Sequence, residues 1–421
     1  MATELLQRPD LFSKRAPAQT QAVPLRGFWE RRVVAGLSNL QHGQIQLDFP
    51  SGTSLQVGAA AEDDLHASVT VHDDRCLREI AVGGSLGAAE AYLRGMWSAS
   101  DLVPLLRIFC RNMDELTRLD TGIAAATAYV ARLLHRFARN STRGSRRNIA
   151  AHYDLSNEFF QLFLDPTLMY SSGLFERPGQ TMEQASVAKL DRICRKLELQ
   201  SDDHVIEIGT GWGGWALHAA RHYGCRITTT TISRNQFDLA RQRVAAAGLN
   251  ERIEVLFEDY RNLTGQYDKL VSIEMIEAVG HEYLPQYFRK CDQLMKPGGR
   301  MLVQAITMPD QRYAAYRKSV DFIQRYIFPG GHLPAIGAMQ AATEQGTRLQ
   351  LIDAVQFPES YARTLQLWRE QFLAKLENVR ELGFDERFIR MWYYYLCYCE
   401  AAFLERSVSV GQFVWQKNRY C

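Results

Sequence analysis

Through most of the second half of the chain, segments with apolar residues at helical spacing alternate with short apolar runs typical of strands. Residues 181–200 repeat apolar side chains at helical spacing, and the short apolar run 205–208 that follows suits a buried strand. Repeated strand–helix units of this length favour a doubly wound α/β fold with a parallel sheet. The same patterns predict further helices at 213–223, 233–247 and 282–295, and strands at 226–231, 253–257, 269–273 and 300–306.

The first hundred residues follow a different pattern. Residues 44–49 and 67–72 alternate polar and apolar side chains, which predicts half-buried antiparallel strands. Helical patterns follow at 84–97 and 101–110. These elements predict a small N-terminal α+β domain without catalytic residues of its own.

The length of the chain also favours two domains, because 421 residues exceed one typical hydrophobic core. We predict an N-terminal domain over 1–130, a linker over 131–150 and a catalytic domain over 151–421. The linker is basic, and its polar residues are typical of a solvated connector. A second interpretation is contact with anionic lipid headgroups, at about 1 kcal/mol per basic residue. Its arginines are Arg132, Arg136, Arg139, Arg143, Arg146 and Arg147.

Composition narrows the class of protein. The chain is 46% hydrophobic and 23% charged, as in folded proteins, and its net charge of +2 gives no reason to expect nucleic acid as a partner. No stretch of 18 uncharged apolar residues and no signal peptide is found, so we expect a cytoplasmic location. The eight cysteines lack metal or redox spacing, which predicts free thiols and no metal site.

A glycine-rich turn joins the strand 205–208 to the helix that follows. Gly209, Gly211 and Gly213 stand where a side chain would block the approach of a ligand or forbid a positive φ. A strand, a glycine turn and a helix in this order bring bare backbone close to a nucleotide. A tight turn without a ligand remains the alternative.

The ends of the neighbouring strands indicate which nucleotide. The second strand does not end in the acid that would bind the ribose of a dinucleotide. The third strand ends in Phe257, whose ring offers a flat apolar surface, and Glu258, which can accept a hydrogen bond from an amine. Glu207 precedes the glycines and can face the ligand. This arrangement resembles a methyltransferase that uses S-adenosylmethionine. Gln236 either closes a capping box with Ser233 or reaches a ribose hydroxyl.

Several ordered motifs resemble the cyclopropane-fatty-acid synthase family, which includes the mycolic acid cyclopropane synthases. The resemblance runs from about residue 80 to the C-terminus. It rests on Gly84-Ser-Leu-Gly-Ala-Ala-Glu-Ala-Tyr, His152-Tyr-Asp-Leu-Ser-Asn-Glu-Phe-Phe, Asp165-Pro-Thr-Leu-Met-Tyr-Ser-Ser, Glu207-Ile-Gly-Thr-Gly-Trp-Gly-Gly, Thr231-Ile-Ser-Arg-Asn-Gln, Glu274-Met-Ile-Glu-Ala-Val-Gly and Tyr326-Ile-Phe-Pro-Gly-Gly.

The resemblance implies a reaction on membrane lipid. The methyl of S-adenosylmethionine passes to a cis double bond of an unsaturated acyl chain in a phospholipid. The carbocation that results loses a proton to bound bicarbonate and closes to a cyclopropane. Nearby negative charge and aromatic faces would stabilise that cation, and water must be excluded. We therefore expect a peripheral enzyme at the inner face of the membrane.

The resemblance also implies residues. Bicarbonate would contact Glu277, the backbone of Ile306 and Tyr361. Ser172 and Gln304 stand where familiar members have cysteine and histidine; both keep a hydrogen-bond donor, but neither titrates near neutrality. Cofactor contacts would fall on Tyr170, Ser171, Gly209, Gly211, Gly213, Thr231, Gln236, Phe257 and Glu258.

Three of these assignments have a structural alternative. Glu277 could lie on a solvated helix face, although its place after a strand favours a functional role. Tyr361 could be a core aromatic. Cys399 resembles in position a cysteine suspected as a nucleophile, so it joins the catalytic candidates, but its aromatic helix favours a core role.

Other functions remain open at this point. Ser172 and Gln304 leave a methyltransferase that makes a methyl-branched chain, or that acts on a small soluble acceptor. A protein of another class would be a lipid-binding scaffold without catalysis. The first domain could also support a homodimer.

Overall fold

A computed structural model describes residues 27–60, 65–115 and 155–420. Its residues form two compact units. The first unit contains the described residues up to 115 together with Ser319–Tyr326 and Arg369–Ser407, and the second contains those from 155 to Lys318 together with Ile327–Trp368 and those from Val408 on. The predicted linker 131–150, with its arginines, lies outside the described residues.

The helices and strands are numbered here in chain order. The α-helices are α1 Phe28–Leu37, α2 Arg75–Leu93, α3 Leu102–Arg111, α4 Asn157–Gln161, α5 Met182–Leu197, α6 Gly214–Tyr223, α7 Arg234–Ala246, α8 Leu284–Leu294, α9 Asp310–Tyr316, α10 Ile336–Thr343, α11 Pro358–Ala374, α12 Leu376–Glu381 and α13 Glu386–Leu404. The strands are β1 Gly43–Asp48, β2 Ser54–Ala59, β3 His66–Val71, β4 Trp97–Ala99, β5 His204–Ile208, β6 Arg226–Thr231, β7 Ile253–Phe257, β8 Tyr267–Ile273, β9 Met295–Thr307, β10 Leu349–Gln356 and β11 Ser409–Lys417.

The first unit is built on a four-stranded sheet in the order β2-β1-β3-β4. The two predicted strands, β1 and β3, are parallel to each other, and each finds its antiparallel partner in another strand, β2 for β1 and β4 for β3. The sequence pattern missed β2, which pairs antiparallel with β1. Since β2 returns the chain to the start of the sheet, β3 can run in the same direction as β1. The α+β character of the domain is confirmed.

The predicted helix over 84–97 is also different in the structure. Helix α2 begins at Arg75, is interrupted at Gly84 with φ 57° and ends at Leu93. Trp97 lies in β4, and its indole N–H donates to the carbonyl of Ala88 at 2.8 Å. A glycine tolerates this positive φ, so the chain changes direction there at low cost.

Two later segments belong to the first unit by their packing, although the sequence pattern assigned them to the catalytic domain: Ser319–Tyr326 and Arg369–Ser407. Within this unit the guanidinium of Arg369 pairs with the buried carboxylate of Glu400 at 2.8 Å. The predicted boundary near 131–150 lies outside the described residues and stays a prediction. Among the helices that the structure describes, none combines the length and apolar character needed to cross a bilayer.

The second unit contains a seven-stranded sheet in the order β10-β11-β9-β8-β5-β6-β7. Strands β5 to β9 are mutually parallel, which confirms the doubly wound α/β fold. The sequence pattern missed β10 and β11, which pair antiparallel at one side of the sheet. Ligands of such sheets bind at the carboxyl ends of the strands, where the order of connections reverses. Here β5 is that point, because β6 lies on one side of it and β8 on the other.

Candidate active site

The glycine turn after β5 has the conformation that its sequence predicted. Gly209, Gly211 and Gly213 have φ of 100°, 51° and 83°, values that favour glycine. The backbone N–H groups of Gly209 and Thr210 both donate to the carbonyl of Thr230 at 3.0 Å. A Cβ at Gly211 would meet no atom within 4 Å, so open space lies in front of this part of the turn.

Polar contacts from outside the turn fix its shape. The indole N–H of Trp212 donates to the side chain of Asn157 at 2.7 Å. Arg243 on α7 donates from the same nitrogen to the carbonyls of Trp212 and Thr167, at 2.7 and 3.1 Å. Arg243 therefore ties the turn to the segment that carries the predicted cofactor contacts at 170–171. No pattern in the sequence singles out this residue.

The segment around residues 167–172 packs directly on the start of α6. A Cβ at Gly214 would come within 2.7 Å of the carbonyl of Thr167, so glycine is required there. The ring of Tyr170 lies 5.4 Å from that of Trp368 and 5.1 Å from that of Phe160. An aromatic cluster therefore stands beside the glycine turn.

Ser171 contacts a buried cation that the sequence analysis missed. The ammonium of Lys189 on α5 is fully buried and donates to the hydroxyl of Ser171 at 2.6 Å. Burial lowers the pKa of Lys189 to about 8, while the charges of Glu274, Asp165 and Glu207 oppose that shift. Lys189 thus places one positive charge near these three carboxyl groups.

Glu207 is buried rather than open to a ligand. Only 2% of its surface is exposed, and it accepts a hydrogen bond from the hydroxyl of Thr229 at 2.5 Å. Burial raises the pKa of Glu207 to about 8. At neutral pH this carboxyl is therefore mostly protonated. Its predicted role as a cofactor contact stays a prediction.

Two predicted cofactor contacts, Thr231 and Gln236, lie at the end of β6 and in the first turn of α7. Ser233 caps α7 by accepting from the backbone N–H of Gln236 at 3.4 Å. The side chain of Gln236 does not close the capping box; its oxygen accepts from the hydroxyl of Thr231 at 2.9 Å. The two side chains therefore form one buried polar pair at the edge of the sheet where the glycine turn lies.

The end of β7 presents the aromatic and acidic residues that the sequence singled out. The ring of Phe257 is 43% exposed, which is unusual for a large apolar side chain, and it lies 5.6 Å from the ring of Phe237. The carboxylate of Glu258 accepts from Asn262 at 2.8 Å. An exposed flat ring and a neighbouring acid suit an adenosine, and the open space at Gly211 leaves room for it. The residues present therefore fit S-adenosylmethionine.

A carboxylate that the sequence analysis did not select stands at the end of β8. Glu274 accepts three hydrogen bonds: from the backbone N–H of Ser172 at 3.0 Å, the amide of Gln304 at 2.8 Å and the hydroxyl of Tyr361 at 2.8 Å. Burial raises the pKa of Glu274, but the Gln304 amide and the charge of Lys189 counteract part of the rise. The three donors and the buried cation therefore oppose the effect of burial on this carboxyl group.

Glu277 lies near Glu274 and behaves differently. Its Oε1 accepts from the backbone N–H of Ile306 at 2.6 Å, the contact that the resemblance gave to an anion site. Burial, followed by the charge of Glu274, raises the pKa of Glu277 to about 8. At neutral pH Glu277 is therefore mostly protonated. The proton belongs on Oε2, a buried atom for which no partner is found among the described residues.

These contacts leave the donors expected for bicarbonate already engaged by the protein. Tyr361, Gln304 and the Ser172 backbone serve Glu274, and Ile306 serves Glu277. A further anion would find these donors taken and a carboxylate beside it. The residues present therefore do not fit bicarbonate.

Ser172 and Gln304, which stand where familiar members have cysteine and histidine, do not make the contacts with an anion that were expected of their side chains. The Ser172 hydroxyl donates to the carbonyl of Gly173, so this residue serves the carboxylate through its backbone. Gln304 is fully buried, and its oxygen accepts from Gln412 at 3.1 Å. That contact turns the NH₂ of Gln304 towards Glu274, so the amide orients the carboxylate without titrating.

Cys399 belongs to the first unit, whereas the carboxylates and the glycine turn belong to the second. Burial raises the pKa of the Cys399 thiol well above its ordinary value. A thiol that stays protonated is a poor nucleophile. The structure therefore gives no support to a nucleophilic role for Cys399, which is half-buried.

A family model described as mycolic acid cyclopropane synthetase matches residues 140–413, which include the glycine turn and both carboxylates. The chain belongs to this family of S-adenosylmethionine-dependent methyltransferases. The resemblance stated from the motifs is thereby confirmed.

Curated relatives cover nearly the whole chain. It is similar to the tuberculostearic acid methyltransferase of Mycobacterium tuberculosis, with 41% identity over 88% of this chain and 87% of that protein. It is also similar to the cyclopropane-fatty-acyl-phospholipid synthase of Escherichia coli, with 33% identity over 86% of this chain and 91% of the relative. One name describes a methyltransferase and the other a ring-forming synthase.

Solved structures agree with the family. A cyclopropane synthase from Mycobacterium tuberculosis is 30% identical, with a TM-score of 0.61, and covers 65% of this chain and 98% of its own. A mycolic acid cyclopropane synthase complexed with SAH is 32% identical, with the same TM-score and coverage. The matched share of this chain is close to the size of its second unit together with the segments inserted in it.

Proposed function

We propose that this protein transfers a methyl group from S-adenosylmethionine to a cis double bond in an unsaturated acyl chain of a membrane phospholipid. The observation that carries the proposal is the buried Glu274 carboxyl group, which accepts three hydrogen bonds at the end of β8. A fixed negative charge in a buried site is what a reaction through a carbocation requires. A transfer to an amine nitrogen would not need a buried counter-charge for a carbon cation.

The cofactor would lie along the carboxyl ends of β5, β6 and β7. S-adenosylmethionine supplies an electrophilic methyl group when it is bound. The bare backbone of Gly211 admits it, and Phe257 offers a face for its base. The hydroxyl of Ser171, which Lys189 contacts, suits its carboxylate end. The other residues that would hold it are Gly209, Gly213, Tyr170, Thr231, Gln236 and Glu258.

The chain's own residues would then control the fate of the lipid cation. Aromatic faces near Tyr170 and Trp368 stabilise positive charge and exclude water that would trap it. Loss of a proton from the transferred methyl lets its carbon bond to the cationic carbon, which closes a cyclopropane. The net change in the lipid is the addition of one CH₂.

An open, branched product is the second candidate. It is favoured by the higher identity to a relative named as a methyltransferase than to the relative named as a cyclopropane synthase. Loss of a proton without ring closure gives an alkene that has the same composition as the ring. A small soluble acceptor or a lipid-binding scaffold without turnover would each leave the phospholipid unchanged.

Binding at the inner face of the membrane is part of the proposal. The basic segment 131–150 supports it by charge, since arginines near an anionic surface are attracted to it. A homodimer through the first unit is proposed on the sequence analysis alone.

The test uses purified full-length protein, S-adenosylmethionine and vesicles of cis-unsaturated phospholipid. We expect the acyl chains to gain one CH₂, and vesicles of saturated phospholipid to remain unmodified. Ozonolysis of the product then separates the two candidates, because a cyclopropane survives it and an alkene is cleaved. Folded protein that binds the cofactor but leaves unsaturated lipids unchanged would contradict the proposal.

A further inference from the structure

The carboxyl group of Glu274 accepts the hydrogen bonds that the resemblance assigned to a bound anion. Its two oxygens accept from Ser172, Gln304 and Tyr361, which come from a loop, from β9 and from α11. We infer that Glu274 is itself the counter-ion and the proton acceptor for the lipid cation, so that the reaction needs no bicarbonate. This inference rests on the proposed function and names the base within the same site.

The backbone at Glu274 supports a specific role for this side chain. Its φ is 48°, in the left-handed region that non-glycine residues rarely adopt. The conformation costs about 1 kcal/mol for a residue with a Cβ. The backbone N–H of Glu274 donates to the carbonyl of Gln304 at 2.7 Å, so the same residue is held by both its backbone and its side chain. A glycine would adopt this conformation without strain, yet the position carries a carboxylate.

Charge balance favours one anion in this pocket. Lys189 is the buried cation whose charge acts on Glu274. The neighbouring Glu277 is mostly protonated at neutral pH because burial and Glu274 raise its pKa to about 8. Bicarbonate would add a further negative charge beside Glu274, where Lys189 is the one buried cation that acts on this carboxyl group among the residues that the structure describes. A site with one resident carboxylate is therefore electrostatically more favourable.

The same arrangement explains the residues at 172 and 304. Since the base is an ionisable side chain of the protein, the groups around it need only donate hydrogen bonds. The Ser172 backbone N–H and the Gln304 amide do so at every pH, and Gln412 fixes the orientation of that amide. Neither position has to titrate, which accounts for the absence of cysteine and histidine there.

The proposed step balances in atoms and charge. A C–H bond of the transferred methyl breaks, and its proton forms an O–H bond with the Glu274 carboxylate. The electron pair of that C–H bond forms the new carbon–carbon bond to the cationic carbon. Glu274 becomes a neutral acid and returns its proton to solvent after the product leaves.

The decisive variant is Glu274→Gly, which removes the carboxylate and leaves its donors free. Glycine suits the φ at this position, so we expect the variant to fold. In carbonate-depleted buffer its turnover should fall by about 10²- to 10⁴-fold, the usual contribution of a general base. Added bicarbonate should restore turnover in a saturable way. The wild-type protein should be indifferent to bicarbonate under the same conditions.

A binding measurement gives a readout that does not depend on turnover. Carbon-13 NMR of labelled bicarbonate should show exchange broadening with the Glu274→Gly variant and none with the wild-type protein. Glu274→Gln, which keeps the volume of the side chain, should be inactive and should not be rescued. Glu251→Gln is the matched control, because Glu251 is exposed on the loop before β7.

Three results would overturn the inference. These are a wild-type rate that depends on bicarbonate, a Glu274→Gly rate near that of the wild type without bicarbonate, or an active Glu274→Gln. Failure of the proposed function is a different result, since the wild-type protein would then modify no lipid under any condition.

Discussion

Tyr361→Phe tests how the protein stabilises the ionised form of Glu274. The hydroxyl of Tyr361 donates to Oε2 of Glu274 at 2.8 Å, and the Tyr361 side chain is 6% exposed, so water does not replace the lost donor easily. Phenylalanine keeps the ring that packs 6.3 Å from Trp368. The substitution therefore removes one hydrogen bond with little change in packing.

The expected magnitude follows from the charge on the acceptor. A hydrogen bond to a charged group contributes about 1.5–3 kcal/mol, and about 1.4 kcal/mol corresponds to one pKa unit. Loss of the donor should raise the pKa of Glu274 by roughly one to two units. Because the base must be ionised, the acidic limb of the pH–rate profile should move upward by the same amount. Below that limb the rate should fall by roughly 10- to 100-fold.

The assay is lipid product formation from pH 5 to 9 with saturating cofactor. Tyr420→Phe is the matched control, since Tyr420 is 92% exposed and should leave the profile unchanged. A Tyr361→Phe profile whose acidic limb coincides with that of the wild type would refute the role given to this hydroxyl.

Three further predictions concern the turn, the buried acid and the thiol. Burial raises the pKa of Glu207 from 4.5 to about 8, so its contribution to stability is present below pH 4.5 and is lost as the pH rises towards 8. In urea unfolding the free energy of unfolding should therefore decline by about 1.4 kcal/mol per pH unit in this range, and Glu207→Gln should flatten that decline. An unchanged slope would argue against a buried neutral acid. Gly211→Ala should weaken cofactor binding in calorimetry and lower the free energy of unfolding by only about 1 kcal/mol. Gly214→Ala should lower the free energy of unfolding by more, because its Cβ would clash with the carbonyl of Thr167. Equal losses of stability would contradict this difference. Cys399→Ser should keep the wild-type turnover, and an inactive but folded variant would restore the thiol as a catalytic candidate.

Much of the second unit could be predicted because its signals are local. Five parallel strands and their helices follow from apolar runs and helical spacing, and the glycine turn follows from residues that need positive φ. Strands β10 and β11 were missed because they come after a long stretch of helices and turns, and because antiparallel partners are distant in sequence. The segments that pack with the first unit were missed for the same reason.

The candidate site divides in a similar way. The sequence led us to expect Tyr361, Gln304 and Ser172 around bicarbonate, whereas in the structure all three donate to the side chain of Glu274. Glu274 directly follows Ile273 at the carboxyl end of β8, and an acid at that position was a signal that could have been used. It was passed over because Glu277 matched the family pattern. Lys189 gave no local signal, since a lysine on an amphipathic helix is usually solvated.

The most direct measurement of the central claim uses S-adenosylmethionine with a fully deuterated methyl group and cis-unsaturated phospholipid vesicles. Methyl transfer to the double bond followed by proton loss from that methyl predicts lipid products that carry two of the three deuterium atoms on the new carbon. Lipids without deuterium, or a product that retains all three, would contradict the account.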